Sequence, residues 1–381
     1  GAVAMNAFAF LLAFAVSGAG AGQTPLPGVL TVAAHDASEA MRASARFVCD
    51  GEDDQEEINA AIAALPEAGG TVFLPAGTYD IRRVEGELGG VLIRRSHVTL
   101  QGEGVATKLI QADAQETNVI RIIGSGVGHV TVRDLYVDAN RDGNPKSEGD
   151  PDISHARFEF CGIKAYRNRP GESSAAEDTH HITVENCVVF NAARLGIMLE
   201  GPGMKVINNR LGNATSDVVE ILTGPGEIRG NYFEITGRTH VAVGSDRGNN
   251  IIMSDNIVHV RETGDIDIAI RTWADSHRHV IAGNIILVDA GGKCTHAMDL
   301  RGYDTAVTGN CVYAANPDAP LLLKLTAGNV VVTGNVLQNV IIEVDDQTQT
   351  GKPIIIRDNI LENTTVVVKN GTVLKEAAIP E

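Results

Sequence analysis

Val184-Glu-Asn-Cys187, Ile207-Asn-Asn-Arg210, Arg229-Gly-Asn-Tyr232, Ser254-Asp-Asn-Ile257, Ala282-Gly-Asn-Ile285, Thr308-Gly-Asn-Cys311, Thr333-Gly-Asn-Val336 and Arg357-Asp-Asn-Ile360 are eight versions of one phrase. Their asparagines, Asn186, Asn209, Asn231, Asn256, Asn284, Asn310, Asn335 and Asn359, are spaced 23, 22, 25, 28, 26, 25 and 24 residues apart. A fixed period of this size marks a solenoid, propeller or array. Between the asparagines lie short apolar runs broken by Gly and Asn, with no helix-length segment. That pattern reads as a parallel β-helix with one coil per repeat. A turn asparagine at every coil can hydrogen-bond its neighbour one rung away and satisfy backbone groups the turn would strand.

Composition agrees. Aromatic residues make up 4% of the 381, while Gly contributes 41, as tight aliphatic coils with many turns require. A chain of this length exceeds the usual single domain, but a solenoid grows by adding coils. No composition break divides it, so residues 23–381 read as one β-helix domain. The net charge of −17 argues against nucleic acid and against anionic membrane surfaces as partners. Cys49, Cys161, Cys187, Cys294 and Cys311 form no CxxC pair, and their odd number and wide spacing give neither a disulfide framework nor a zinc signature. Cys187 and Cys311 follow ladder asparagines and read as small core residues.

Residues 1–22 are apolar and end in small residues. They resemble the core of a signal peptide but carry no preceding Lys or Arg. The segment is expected to be a cap, an anchor or a helix for self-assembly. Further on, Ile58, Ala61, Ile62 and Leu65 have helical spacing, so a capping helix is expected at about 54–66 with Asp53 or Asp54 as its cap. The stretch from Asp50-Gly-Glu-Asp through Ala64-Leu65, followed by Gly69-Gly-Thr-Val-Phe-Leu-Pro-Ala-Gly-Thr-Tyr79, resembles the opening of the pectate-lyase-like (pectin-lyase-fold) right-handed β-helix superfamily. The resemblance implies an all-β right-handed parallel β-helix closed at its N-terminal end by that helix. It leaves the reaction open, because the fold hosts lyases, epimerases, hydrolases, phage tailspikes and adhesins.

Val130-Thr-Val-Arg-Asp-Leu-Tyr-Val-Asp-Ala-Asn-Arg-Asp-Gly-Asn144 is similar to a strand and turn of the mannuronan epimerases and related lyases. Those enzymes carry Asp-Pro-His-Glu on the strand that follows. Gly196-Ile-Met-Leu-Glu-Gly-Pro-Gly203 was matched to that strand and has neither its His nor its Asp. Polar excursions at 141–160 and 167–179 interrupt the period, and long loops on one face of a solenoid wall a cleft. Asp138, Asp142, Asp150 and Asp152 beside the first of them are candidate oxygen ligands for Ca2+. His180-His181 and His277-Arg-His279 show no third ligand at metal spacing and read as surface. No metal site is expected otherwise. The sequons at Asn213, Asn363 and Asn370, with the apolar leader, fit an extracellular or cell-surface protein.

Strand alternation gives the outward side chains. With Ile163, Ile197, Val219, Val241, Val243, Ile268, Ile270 and Met298 inward, one surface is expected to carry Lys164, Tyr166, Glu200, Glu220, His240, Asp267, Arg271, Asp299 and Arg301. Two chemistries use such a set. β-Elimination or epimerisation of a uronate needs a base at C5, a neutraliser of the carboxylate and an acid. Arg271 and Arg301 fit the neutraliser, and His240, Lys164, Tyr166 and Asp267 are the candidate catalysts. Glu200, Glu220, Asp299 and Arg301 would bind an acidic polysaccharide. Hydrolysis instead needs two carboxylates at a set separation. A third reading is non-catalytic: a surface filament, adhesin or tailspike subunit assembled through residues 1–22, with the charges as cross-strand salt bridges.

Overall fold

The computed structural model describes residues 28–145, 160–165, 179–348 and 351–375. The segment 1–22, Tyr166, Asp150 and Asp152 lie outside them, as do most of both excursions. Every strand pairing is parallel. The strands form three long sheets of 14, 11 and 11 strands, and the chain visits the sheets in turn. One coil runs His180–Glu185 in the first sheet, Val188–Phe190 in the second, Ile197–Gly201 in the third, then Met204–Ile207 back in the first. This is the expected parallel β-helix. Among the described residues no helix is long and apolar enough to cross a membrane.

Inward side chains stack in register along the axis. In the first sheet Val72, Leu100, Val132, Val184, Val206, Ile228, Met253, Ile281, Val307, Val332 and Ile356 follow one another. All are buried. β-Branched and leucyl side chains suit this site because each packs on a like neighbour about 4.8 Å away.

The asparagine ladder forms, with one correction. From Asn209 to Asn335 each backbone N–H and Nδ2 donates to Oδ1 of the next ladder residue, ending on Asn359. Asn186 is not on it. The ladder position in that coil belongs to Cys187, whose N–H donates to Asn209 Oδ1 at 2.8 Å. Asn186 has φ +54° and shares a left-handed corner with Asn208, Gly230, Asp255, Gly283, Gly309, Gly334 and Asp358. The repeated phrase is therefore a left-handed residue, Gly, Asn or Asp, followed by a ladder residue. Those are the residue types that enter this region cheaply. Cys311, expected in the core, is only partly buried.

Asn256 shows what a rung is worth. It donates to Ile228 O and Asn284 Oδ1, and it accepts from the N–H and Nδ2 of Asn231. Asn256→Ala leaves two or three buried polar groups unpaired at ~1–3 kcal/mol each, so a loss of about 2–4 kcal/mol is expected in urea unfolding. A change below about 0.5 kcal/mol would show that water replaces the rung.

The capping helix spans Gln55–Ala64 and buries Ile58, Ala61 and Ile62. Asp54 is its N-cap residue, but its carboxylate accepts from the N–H groups of Gly51 and Asp80 rather than from the helix, which corrects the expected capping bond. Asn59 bonds Gly90 O and Leu92 N, so the helix satisfies the first strand of the third sheet, which would otherwise be an open edge.

Candidate active site

The third sheet carries the chemistry, and its register decides which residues meet. Its outward column runs Arg121, Lys164, Met198, Glu220, Gly244, Arg271, Asp299, Lys324 and Glu343. Lys164, Glu220, Arg271 and Asp299 thus share one column, as expected. The strand that follows the Asn140–Asp142 turn in this sheet is Ile163–Ala165, one coil earlier than the Gly196–Gly203 match. Lys164 sits there fully buried, and Met198, packed with Cys161, Leu195 and Leu222, separates it from Glu220. It does not line the pocket around Arg271.

Strict alternation fails upstream of this column. Val218-Val219, Ala242-Val243, Ala269-Ile270 and Ala297-Met298 each contribute two consecutive residues to the core. The strand changes phase at each doublet. Ala242, expected outside, is therefore inside, while Val241 and Ile268, expected inside, are buried without joining the core. Asp217, one residue before the first doublet, is turned to the outer side.

There Arg271, only 4% exposed, places Nη2 2.7 Å from Asp217 Oδ2 and 3.3 Å from Glu220 Oε1. Gly244 makes this reach possible. It lies between Glu220 and Arg271 in the ladder, and a Cβ on it would stand 2.4 Å from Asp217 Oδ2. One guanidinium faces two buried carboxyls, so both cannot ionise cheaply. Burial and the neighbouring Asp217 push Glu220 up to about 8 against the pull of Arg271. Burial also raises Asp217, opposed by Arg271 and His240. Both carboxyls are thus pushed above their usual range and titrate as a pair.

His240 and Asp267 form a second unit beside the first. His240 Nδ1 lies 2.7 Å from Asp267 Oδ2. The carboxylate only accepts, so Nδ1 carries the hydrogen and Nε2 is left as the basic nitrogen. Arg238 grips the same carboxylate with both Nη atoms, at 2.8 and 2.6 Å. Burial raises Asp267, but the bonds from Arg238 and His240 outweigh it and hold the carboxyl below its usual range. Asp267 therefore orients His240 and does not itself take a proton.

A pocket of about 300 Å3 joins the two units. His240, Arg194, Asp217, Glu220, Arg271, Asp246 and Trp273 line it. Trp273, the single tryptophan, has the guanidinium carbons of Arg271 and Arg301 at 4.5 and 4.6 Å from its ring centre. Arg301 is tied to Asp299 by Nε and Nη2 and does not line the pocket. Glu200 is buried, one column over, with Arg247 Nη2 at 3.7 Å from Oε1. Beyond Asp299 the column continues to Lys324 and Glu343, and Glu343 pairs with Lys324 and with Lys369, which lies off the column. Arg194, Asp217, Asp246 and Trp273 are the residues that alternation missed. The recurring apolar doublets were the signal for Asp217. Among the described residues, the groups that bring three ligand atoms within 4.8 Å do not include Asp138 or Asp142.

No protein-family model matches the chain. The mannuronan C5-epimerase AlgE5 of Azotobacter vinelandii is 33% identical over 158 residues, 36% of this chain and 15% of that protein. Alginate lyase 7 of the same organism is 28% identical over 167 residues, 39% of this chain and 19% of that protein. The chain thus spans less than a fifth of the length of either relative. Among solved structures, the A-module of the A. vinelandii mannuronan C-5 epimerase AlgE4 superposes with a TM-score of 0.53 at 17% identity, covering 86% of this chain and 97% of that one. A DFA-IIIase from Arthrobacter chlorophenolicus A6 superposes at 0.57 and 13% identity, covering 89% and 84%. At these identities the likeness is one of fold, the right-handed parallel β-helix.

Proposed function

We propose that this protein acts on a uronate polysaccharide by removing the C5 proton of a bound sugar. The observation that carries the reading is the pocket in which Glu220, a buried Arg271 and a His240 held by Asp267 converge. Arg271, with Arg194 beside it, receives the sugar carboxylate. That neutralises the charge that develops when C5 loses its proton. His240 Nε2 takes the proton. The electron pair then has two outcomes. Protonation of C5 from the opposite face, with solvent water as the proton source and His240 returning its proton to solvent, inverts the centre. Alternatively the C4–O bond breaks, and the leaving oxygen takes the proton of Glu220. The relatives named as mannuronan epimerases and alginate lyase use substrates of this class, which supports the reading. Hydrolysis with inversion fits less well, because Asp217 and Glu220 are held on one nitrogen, closer than the roughly 6.5–9.5 Å of an inverting pair.

The test is incubation with polymannuronate, polyguluronate and polygalacturonate in deuterated buffer. Deuterium at C5, read by NMR, reports proton removal; ultraviolet absorbance of unsaturated ends reports elimination. Turnover is expected to fall as pH rises through about 8, where Glu220 gives up its proton. The folded chain keeps that proton while the unfolded chain loses it near pH ~4.3, so the contribution of Glu220 to stability is complete below that value and declines as pH rises to about 8. Glu220→Gln should remove this slope in stability and slow turnover by about 10²-fold or more. Absence of both deuterium and unsaturated ends on all three polymers would sink the reading.

A further inference from the structure

At the corner leading from the third sheet into the first, five successive coils put a left-handed residue at one register position, from Gly69 to Gly203. Three successive coils fill it with histidine: His97, His129 and His181, at φ +62°, +55° and +51°. The register places them in one column between Gly69 and Gly203. Histidine enters this region more readily than most residues, but three in a row is an unusual choice where Gly serves on either side. Their rings stack at 5.0 Å, with interplanar angles of 3° and 18°.

A fourth imidazole joins them. His180 lays its ring across the backbone of Gly128, where a Cβ would stand 2.2 Å from Cε1 and 2.3 Å from Nδ1. The ring fits only because position 128 is glycine. Its Nδ1 lies 2.9 Å from Nδ1 of His181. Two nitrogens bound at ~2.0–2.1 Å to one ion and at right angles to each other are about 2.9 Å apart. His129, His180 and His181 each bring a ring nitrogen within 4.8 Å of the other two. The pair His180-His181, read as surface for want of a third ligand, has one in His129 on the preceding coil.

We propose that His129, His180 and His181 form a binding site for a divalent first-row transition-metal ion of the zinc or nickel class. The donors are all imidazole, which suits these ions and not Ca2+ or Mg2+. His129 and His181 are exposed and His180 is half-buried, so an ion has access from solvent. The site is on a corner of the solenoid and does not share residues with the Arg271 pocket.

The test is calorimetric titration of the full chain, free of any histidine tag, with zinc chloride and separately with nickel chloride. One ion per chain and a higher melting temperature with the metal present are expected. His129→Asn and His181→Asn keep residues that accept positive φ, and His180→Gln keeps a polar side chain. Each should weaken binding roughly tenfold or more. His277→Gln, beside the same corner but four coils further along the solenoid, should leave binding unchanged. In the unmodified chain Ni2+ should broaden the ring-proton resonances of His129, His180 and His181 before those of other histidines, a readout that does not depend on any variant folding. Lack of saturable binding, unchanged affinity in the His129→Asn/His181→Asn double variant, or broadening that begins elsewhere would overturn the proposal.

Discussion

Arg271→Ala should abolish turnover and cost about 3–5 kcal/mol of stability, because it removes the cation from a buried cluster and leaves Asp217 and Glu220 facing each other. The loss should depend on pH. Near pH 5 the stranded carboxyls can hold protons and the cluster relaxes toward a neutral hydrogen-bonded pair. At pH 8 ionisation of one is opposed by the other in a buried site, and the penalty grows. Urea unfolding at the two values measures the difference. Arg271→Lys should recover part of the stability through its charge and little of the activity, since a point cation cannot place two donors on a planar carboxylate. Arg301→Ala is the comparison: it strands one buried carboxyl, Asp299, in place of two, and the arginine itself is 35% exposed, so a smaller loss than that of Arg271→Ala is expected. If Arg271→Lys turns over uronate at the unmodified rate, the arginine is a structural tie and the mechanism loses its neutraliser.

His240→Ala should lower kcat by roughly 10²–10⁴-fold and leave stability within about 1 kcal/mol. The side chain is 43% exposed and its one hydrogen bond is to Asp267, which Arg238 continues to hold. Asp267→Asn should give an intermediate defect. An amide can offer Nδ2–H to the ring, which would favour the tautomer with its hydrogen on Nε2 and remove the basic nitrogen from the pocket. Rates for the three proteins, with melting temperatures as the control, decide the matter. A His240→Ala protein with near-native kcat would move the base elsewhere.

The solenoid was legible because its signal is periodic. Eight copies of one phrase outweigh any single misreading, and the error at Asn186 did not disturb the period. The outward column from Glu220 to Asp299 was legible for the same reason. The rest depended on phase. Alternation is a local rule, and two consecutive core residues such as Val218-Val219 reverse it, so Asp217 was absent from the expected outward surface. Lys164 was placed on the right column but shares it with Met198, and burial cannot be read from parity. His129 and His181 are 52 residues apart, twice the usual step, because the excursions lie between them. A reader counting coils by the asparagine phrase, which begins only at Asn186, had no rung on which to pair them.

The ladder has a direction. Each Asn Oδ1 is spoken for by the coil before it, and each N–H and Nδ2 by the coil after it, until Asn359. A new coil that supplied an asparagine at the same place would find its contacts waiting. The pocket, by contrast, draws on only the coils that carry Arg194, Asp217, His240 and Arg271. Whole periods can therefore be gained or lost beyond Asp299 by duplication or deletion in frame with the phrase, and the chemistry would not notice. Length and reactivity are separately heritable in such a molecule: one can drift by steps of a coil while the other is held by four.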